Sequence, residues 1–212
     1  IDERLDPRDI TSTIMGLAVK GYIKIEEQKE EGLIFDKKDY YIKKVKEPDA
    51  DLGAFERELM RSLVPGALPG TLVSSLKNRF YTSLDFLKKT LYGELIKKKY
   101  FLSSPEKVRN LYGGIGFFIM VFGSFALLFL ASESPAKSII AAVLTGLPVI
   151  LFAKAMPAKT KAGASATMDI LGFQEFMNRA EKDRLERMGD KNLFSKFLPY
   201  AIALDVADNW AK

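Results

Sequence analysis

The chain has 212 residues, and its 32 Lys and Arg against 27 Asp and Glu give a formal net charge of +5. The sequence contains neither Cys nor His, which excludes disulfides, thiolate nucleophiles, imidazole bases and metal sites built on either side chain. Catalysis would have to use carboxylates, Lys, Tyr or a bound hard cation, and the sequence carries no phosphate-loop, nucleotide or metal motif. We therefore expect no enzyme activity and no cofactor. Because the chain begins with Ile, we expect it to be part of a longer protein.

The N-terminal segment begins with a predicted helix and hairpin. Asp6-Pro7-Arg8-Asp9 combines an N-cap residue, a proline at the first helical position and an acidic first turn, which predicts a helix start. One apolar helical face follows at Ile10, Ile14, Leu17 and Ala18. Gly21 ends this helix, and the alternating residues 22–26 and 39–43 predict a β-hairpin. This order is typical of the second half of a winged-helix module.

A second, similar succession follows. Apolar spacing predicts one helix at Leu52, Phe55, Leu59 and Leu63, a short one over residues 73–80, and a longer one at Leu84, Leu87, Leu91 and Leu95. The longer helix runs into Lys97-Lys98-Lys99-Tyr100-Phe101, as the first runs into Lys20-Gly21-Tyr22-Ile23. We find no return strand after Phe101 before the next segment, so the second wing is expected to be incomplete. Residues 1–110 are thus predicted to form one α+β unit of two winged-helix-like halves.

Two apolar segments come next. Residues 111–131 and 138–153 carry no charged side chain and are separated by the short polar stretch 132–137. A helix of about 20 apolar residues is long enough to cross a hydrocarbon core of roughly 30 Å. The sequence therefore predicts a transmembrane helical hairpin over residues 111–157. The second segment is short, and we expect its helix to extend through Lys154, whose stem can snorkel.

Small residues in the first apolar segment allow two interpretations. Gly116 and Gly123 lie two helical turns apart, and small residues let helices approach closely in lipid. The favoured interpretation is that these glycines pack one hairpin helix against the other. The alternative is a dimer interface.

Charge around the apolar segments predicts their orientation. The basic residues that flank them are Lys97, Lys98, Lys99, Lys107 and Arg109 before, and Lys154, Lys159 and Lys161 after. The connecting stretch carries one Lys and one Glu. An excess of Lys and Arg in short flanks marks the cytoplasmic side. We therefore predict a multi-pass membrane protein with both flanking segments in the cytoplasm.

Residues 158–212 are predicted to form a cytoplasmic helical tail. Its first part, residues 158–166, is small, basic and glycine-containing, which we interpret as a linker. A helix is predicted to open around Met168 and Leu171, and another to begin at Pro199.

Several segments, taken in order, carry a resemblance to a known family. They are Pro7-Arg8-Asp9, residues 17–25, the two apolar segments, Met156-Pro157-Ala158-Lys159-Thr160 with Gly163, Leu171-Gly172-Phe173, and residues 198–204 followed by Trp210. Together they resemble the C-terminal part of the YciQ-like predicted membrane proteins, a bacterial family classed as a domain of unknown function (number 2207). The resemblance implies an upstream signal segment, an extracytoplasmic β-rich domain, another membrane span, and continuation past Trp210. It implies no established activity, so no catalytic residue is carried over.

Lysines supply the candidate contacts. Juxtamembrane lysines attract anionic lipid, and basic residues on a winged-helix unit can contact nucleic-acid phosphates. The candidate residues for anionic lipid or nucleic acid are Lys88, Lys89, Lys97, Lys98, Lys99, Lys159 and Lys161. Nucleic acid is the less favoured partner, because Asp85 and Glu94 share the helix of Lys88 and Lys89.

These observations predict a bacterial integral membrane protein that acts as a non-enzymatic scaffold or regulatory module. Its cytoplasmic winged-helix unit would be presented to a protein partner, and membrane lipids would be its other partners. One alternative is a membrane-tethered DNA-binding regulator. Another is an accessory in envelope lipid or glycan handling. The oligomeric state is left open.

Overall fold

The computed structural model describes residues 3–30, 37–66, 68–77, 79–130, 134–179 and 193–210. They form two compact units, the first made of Ile1–Glu94 with Thr167–Lys212 and the second of Leu95–Ala166. The fold is mostly helical with one three-stranded sheet. The predicted division into segments 1–110, 111–157 and 158–212 refers to the sides of a membrane and stays a prediction.

Helices and strands both occur in residues 7–97, and the elements described after them are helices. The helices are α1 (Pro7–Val19), α2 (Ala54–Leu63), α3 (Val73–Leu76), α4 (Phe80–Lys97), α5 (Pro105–Leu130), α6 (Pro135–Phe152), α7 (Lys161–Arg179), α8 (Leu193–Ala203) and α9 (Ala207–Trp210). The strands are β1 (Ile23–Glu30), β2 (Lys37–Lys44) and β3 (Gly70–Leu72). A 3₁₀ turn, Ala153–Ala155, extends α6 through Lys154 as predicted.

The first helix begins and ends as its sequence predicts. The backbone N–H of Asp6 donates to the Asp9 carboxylate at 2.8 Å, which closes the first turn of α1. At the other end Gly21 adopts a φ of 77°, and the N–H of Tyr22 donates to the carbonyl of Leu17 at 2.9 Å. This left-handed cap, a Schellman motif, turns the chain directly into β1.

The sheet of the first unit has the order β1-β2-β3. Strands β1 and β2 form the predicted antiparallel hairpin, whose tip at residues 31–36 lies outside the described residues. Strand β3, which the sequence did not predict, pairs antiparallel with β2, with Tyr41 opposite Leu72. A Cβ on Gly70 would stand 2.6 Å from the carbonyl oxygen of Ile42, so only glycine allows this approach.

One hydrophobic core lies between the helices and the sheet of the first unit. Five of its leucines, Leu17, Leu52, Leu59, Leu63 and Leu87, are each at most 2 % exposed. They come from α1, from α2 with the short segment before it, and from α4, on the apolar faces that helical spacing predicts. Because burial of each leucine contributes about 1.5–3 kcal/mol, this shared core holds the predicted helices together.

The C-terminal helices differ from the prediction in two places. The interpretation of residues 158–166 as a linker is wrong from Lys161 onwards, because α7 begins there. The helix predicted to begin at Pro199 begins instead at Leu193 and contains that proline. Pro199 packs toward Gly16 of α1, and this packing of α8 on α1 offsets the loss of a helical hydrogen bond at proline.

Candidate functional site

Helices α5 and α6 of the second unit carry large apolar side chains on their outer surface. The stretches Pro105–Phe129 and Pro135–Ala155 each reach a mean hydropathy of 2.0, and only 6 % and 22 % of their most apolar windows are buried. On α5 four exposed aromatic residues form one stripe, consisting of Phe118, Phe122, Phe125 and Phe129, and Phe117 beside them is exposed as well. By length and composition both helices could cross a membrane, whereas a core helix of similar hydropathy in a soluble protein is mostly buried.

Glycines let α5 and α6 pack closely along each other. A Cβ on Gly116 would stand 2.9 Å from the carbonyl oxygen of Gly146, and one on Gly123 would touch Ala142 at 3.7 Å. The two helices are antiparallel, because the later residue of α5 meets the earlier residue of α6. Gly116 and Gly123 therefore lie in the contact between the two helices, as the favoured interpretation has it, and a dimer interface stays a prediction.

The segment before α5 and the segment after α6 are joined by a short backbone contact. Phe101, just before α5, forms an antiparallel β-bridge with Lys159, just after the 3₁₀ turn. The N–H of Thr160 donates to the carbonyl of Tyr100 at 3.0 Å, and its hydroxyl donates to the carbonyl of Lys99 at 2.6 Å. We call this contact, between residues 99–101 and 159–163, the backbone clamp. It brings the entrance and the exit of the apolar pair to one place.

Thr160 also starts the following helix. Its hydroxyl oxygen accepts a hydrogen bond from the N–H of Gly163 at 3.0 Å, so it is the N-cap of α7. Gly163 is buried against the backbone of Tyr100, and a Cβ there would overlap that residue's carbonyl oxygen. The absence of a side chain at this position is thus a requirement of the clamp, not a sign of a linker.

The predicted lysines fall into two groups. Five of them lie on or beside the backbone clamp in the second unit, and we call them the lysine collar: Lys97, Lys98, Lys99, Lys159 and Lys161. All are exposed except Lys159, which is half-buried. The other two, Lys88 and Lys89, lie on α4 in the first unit, where Lys89 is exposed and Lys88 half-buried.

The collar contains a residue with an unfavourable backbone. Lys99 has a φ of 59°, and the N–H of Tyr100 donates to the carbonyl of Leu95 at 2.9 Å. This is the same left-handed cap that ends α1, where Gly21 occupies the equivalent position. A side chain in this conformation costs about 1–2 kcal/mol, which glycine avoids.

Helix α4 presents a mixed outer face in the first unit. Tyr81 and Phe86 are 76 % and 55 % exposed, and Asp85 and Lys89 lie beside them on the same side. Glu94 does not belong to this face, because its carboxylate accepts the N–H of Ala54 at 2.7 Å, at the start of α2. Of Asp85 and Glu94, the two acidic residues of α4, only Asp85 therefore lies on the outer face.

Three side chains near the end of β2 form a small hydrogen-bonded group. The Tyr22 hydroxyl donates to the Asp49 carboxylate at 2.5 Å, and the Lys46 ammonium pairs with the same carboxylate. Bonding to Lys46 first, and to Tyr22 second, lowers the pKa of Asp49 from 3.8 to about 2. The same bond to Asp49 raises the pKa of Tyr22. This group anchors the segment that leads from the hairpin to α2.

A groove of about 490 Å³ lies between α1 and α8. Its floor is apolar, with Phe197 and Tyr200 from α8, and the ion pair Lys20–Glu56 closes at 2.6 Å on its rim. Across the described ranges of the chain, no three acidic, His or Cys side chains converge in a way that could hold a metal ion. The groove therefore offers an apolar surface with charged edges.

Comparison with known proteins gives one result of wide coverage. A family model described as "Predicted membrane protein (DUF2207) C-terminal domain" matches residues 1–212. The chain belongs to this family. Membership confirms the resemblance drawn from the sequence, and the family is one of predicted membrane proteins of unknown function. No curated protein and no solved structure matches the chain.

The backbone clamp is the part of this family member that sequence reasoning missed. The sequence shows no return strand after Phe101, and in the structure Phe101 forms one isolated antiparallel bridge with Lys159, which follows both apolar helices in the chain. A usable signal was present in Thr160, since a threonine followed by a run of small residues is a common helix N-cap. The spacing of residues along the sequence does not predict that Phe101 pairs with Lys159 across the two apolar helices.

Proposed function

We propose that this chain is a bacterial inner-membrane protein whose α5 and α6 cross the bilayer as a hairpin, with the first unit held in the cytoplasm. Its role is that of a non-enzymatic scaffold or regulatory module that presents the cytoplasmic unit to a protein partner. The observation that supports this most is the backbone clamp between Phe101 and Lys159, at the base of an apolar helix pair with an exposed surface.

The clamp supports a same-side topology. If α5 and α6 span a bilayer, their clamped ends must lie at the same face of it. The lysine collar lies at those ends, and clustered lysines mark the cytoplasmic face. Both arguments favour cytoplasmic flanks, and they are independent of each other because one rests on backbone pairing and the other on charge.

Winged-helix architecture is the second part of the proposal. In the first half, α1 leads through a left-handed cap into the β1-β2 hairpin, and β3 adds the third strand. In the second half, α4 leads through the same cap into Phe101, which pairs with Lys159. On this interpretation the apolar helices are inserted where the tip of the second wing would be.

The outer face of α4 favours a protein partner. Exposed aromatic residues are enriched at protein interfaces, and Tyr81 with Phe86 provides such a pair beside Lys89. The same lysine favours a second candidate, a membrane-tethered DNA-binding regulator. DNA binding would rest on phosphate contacts and fall steeply with salt, whereas docking through Tyr81 and Phe86 would not.

Topology can be tested with single cysteines, because the natural chain has none. Ser134→Cys lies between α5 and α6, whereas Ser103→Cys precedes α5 and Ser195→Cys lies on α8. In intact cells an impermeant maleimide should label only Ser134→Cys. The other two should react only after permeabilisation. Labelling of Ser103→Cys and Ser195→Cys from opposite sides would overturn the proposal.

The docking face can be tested by photo-crosslinking in membranes. A photoreactive residue at Phe86 should capture a discrete protein, and one at Lys24 on the sheet serves as the matched control. The capture should survive high salt and disappear in Tyr81→Ala. Salt-sensitive capture of DNA at the same position would favour the regulator instead, and equal capture at both positions would contradict a specific docking face.

A further inference from the structure

We infer that the lysine collar binds the negatively charged phosphate headgroups of anionic phospholipids and selects these lipids over zwitterionic ones, in which an ammonium group offsets the phosphate charge. This inference rests on the proposed membrane anchorage and adds the chemical class of ligand. It is carried by three features of the second unit: the charge of the collar, the layering of polar and apolar side chains next to it, and the backbone of Lys99.

The collar concentrates positive charge with no acid in its own segments. Residues 95–104 and 155–166 contain the five lysines and no Asp or Glu, and the backbone clamp holds the two segments against each other. Lys98, Lys99 and Lys161 are exposed and make no ion pair with any residue the structure describes. Cations that a fixed backbone holds together attract a phosphate, and juxtamembrane clusters of this kind favour anionic lipid.

Apolar side chains next to the collar favour a lipid over a soluble phosphate. Leu102, three residues after Lys99, is 86 % exposed, and Met156, three residues before Lys159, is 40 % exposed. Beyond them lie the exposed apolar surfaces of α5 and α6. This succession of cations, then aliphatic side chains, then apolar helices matches a phospholipid, in which a phosphate is followed by acyl chains.

The backbone of Lys99 points to a role for its side chain. Its left-handed conformation favours glycine, which α1 uses at the equivalent Gly21. A lysine at such a position is disfavoured by backbone sterics alone. An outlier of this kind suggests that the charge of Lys99 itself is used.

The test compares lipids retained by the full chain. Wild type and variants are reconstituted in phosphatidylcholine vesicles containing a minor fraction of phosphatidylglycerol, extracted in mild detergent, and analysed for bound lipid by mass spectrometry. Wild type should be enriched in phosphatidylglycerol relative to the vesicle. The Lys98→Gln/Lys99→Gln/Lys161→Gln variant should lose this enrichment, by roughly fivefold for each lysine removed. Lys24→Gln/Lys38→Gln/Lys43→Gln on the sheet removes the same charge and should change nothing.

The Lys99→Gly variant distinguishes the effect of losing a positive charge from the effect of losing stability. It removes the cation and relieves the backbone, so the variant should be more heat-stable yet retain less phosphatidylglycerol. Unchanged enrichment in Lys99→Gly would overturn the inference, as would equal loss in the sheet variant. Stabilisation by inorganic phosphate equal to that by phosphatidylglycerol would assign a free phosphate instead, and salt-sensitive duplex DNA binding lost in the collar variant would assign nucleic acid.

Failure of the inference can be distinguished from failure of the anchor. If the helices span the bilayer but the collar does not select, lipid is retained at the bulk ratio and the cysteine labelling pattern stands. If the helices do not span, the labelling pattern fails as well.

Discussion

Among the residues that the structure describes, three end their helices in the left-handed region, and each does so with the same two hydrogen bonds. They are Gly21, Lys99 and Asp205, with φ values of 77°, 59° and 60°. Glycine adopts this conformation without steric cost, whereas Lys99 and Asp205 do not. Asp205 pairs with Arg8 at 3.1 Å, but both side chains are too exposed for that pair to contribute much stability. At these two positions the side chain is retained against the preference of the backbone.

Asp49 predicts a pH-dependent contribution to stability. Its pKa of about 2 in the folded protein lies below the ordinary 3.8, because Lys46 and Tyr22 bond to the ionised form. The stabilisation is therefore complete above about pH 4 and is lost as the pH falls toward 2. Comparing melting temperatures of wild type and Asp49→Asn across this range should show a gap that closes on acidification.

Tyr22→Phe provides the matched control for this prediction. It keeps the buried ring, which is 3 % exposed, and removes only the hydroxyl that donates to Asp49. The carboxyl resonance of Asp49 should then titrate closer to its ordinary value. A gap between wild type and Asp49→Asn that stays constant from pH 6 to pH 2 would contradict the assignment.

Among the helices, α2 depends on a residue far from it in the chain. Its N-cap is Gly53, which has no side chain to accept a hydrogen bond from the first turn. Glu94 of α4 supplies that acceptor, with its carboxylate 2.7 Å from the N–H of Ala54 and 3.3 Å from that of Phe55. A negative charge at a helix N-terminus also interacts favourably with the helix dipole. The contact joins the N-terminus of α2 to the side of α4, and both helices contribute to the core of the first unit.

Glu94→Ala should therefore destabilise the first unit. Loss of an N-terminal cap costs about 1 kcal/mol, which lowers the melting temperature by roughly 2–4 °C in a chain of this length. Asp85→Ala on the exposed face of the same helix is the matched control and should have little effect. The measurement is thermal unfolding of the detergent-solubilised protein by circular dichroism, and equal shifts in the two variants would contradict the capping role.

At the start of α7, composition predicts a linker where the structure has a helix. Gly163 and its small neighbours have the composition of a flexible segment. In the structure Gly163 lies against the carbonyl of Tyr100, and Thr160 caps the helix. Composition reports flexibility only where no other segment approaches, and the approach here comes from residues before the apolar helices.

On the scale of the whole molecule, α5 and α6 are inserted between two chain segments that pair with each other. The bridge between Phe101 and Lys159 joins the segment before α5 to the segment after α6. The outer surface of these two helices is apolar, and they pack on each other through Gly116 and Gly146. An insertion of this kind can in principle be removed without breaking the contacts that surround it.

Excision of residues 103–157, with an Asn-Gly turn joining Leu102 to Ala158, should convert the chain to a water-soluble protein. An Asn-Gly pair favours the tight turn that an antiparallel bridge requires. The shortened chain should remain in the supernatant after ultracentrifugation without detergent, while the full chain sediments with membranes. Far-ultraviolet circular dichroism should still show the helices and sheet of the first unit.

Sedimentation of the shortened chain with membranes would contradict this prediction. The exposed residues Met168, Phe176 and Tyr200 of α7 and α8 would then be the source of membrane binding. Their replacement by Ser in the shortened chain would identify that source.

The sequence by itself determined the apolar helices, the helix caps at Asp6 and Gly21, the β1-β2 hairpin and the apolar faces that fill the first core. These features depend on composition and on spacing within a few residues, so local physics is enough to predict them. The family membership rests on the same local patterns, and the structure did not need to supply it. Function stayed open at this stage because no residue type in the chain commits it to a particular chemistry.

Only the tertiary structure decided that β3 joins β2, that Glu94 caps α2, and that Phe101 pairs with Lys159 across the whole apolar insertion. Each of these contacts joins residues far apart in sequence, and its stability depends on which backbones the rest of the fold brings within hydrogen-bond distance. Local spacing carries no record of that distance, which is why the two lysine segments come together only in the folded chain.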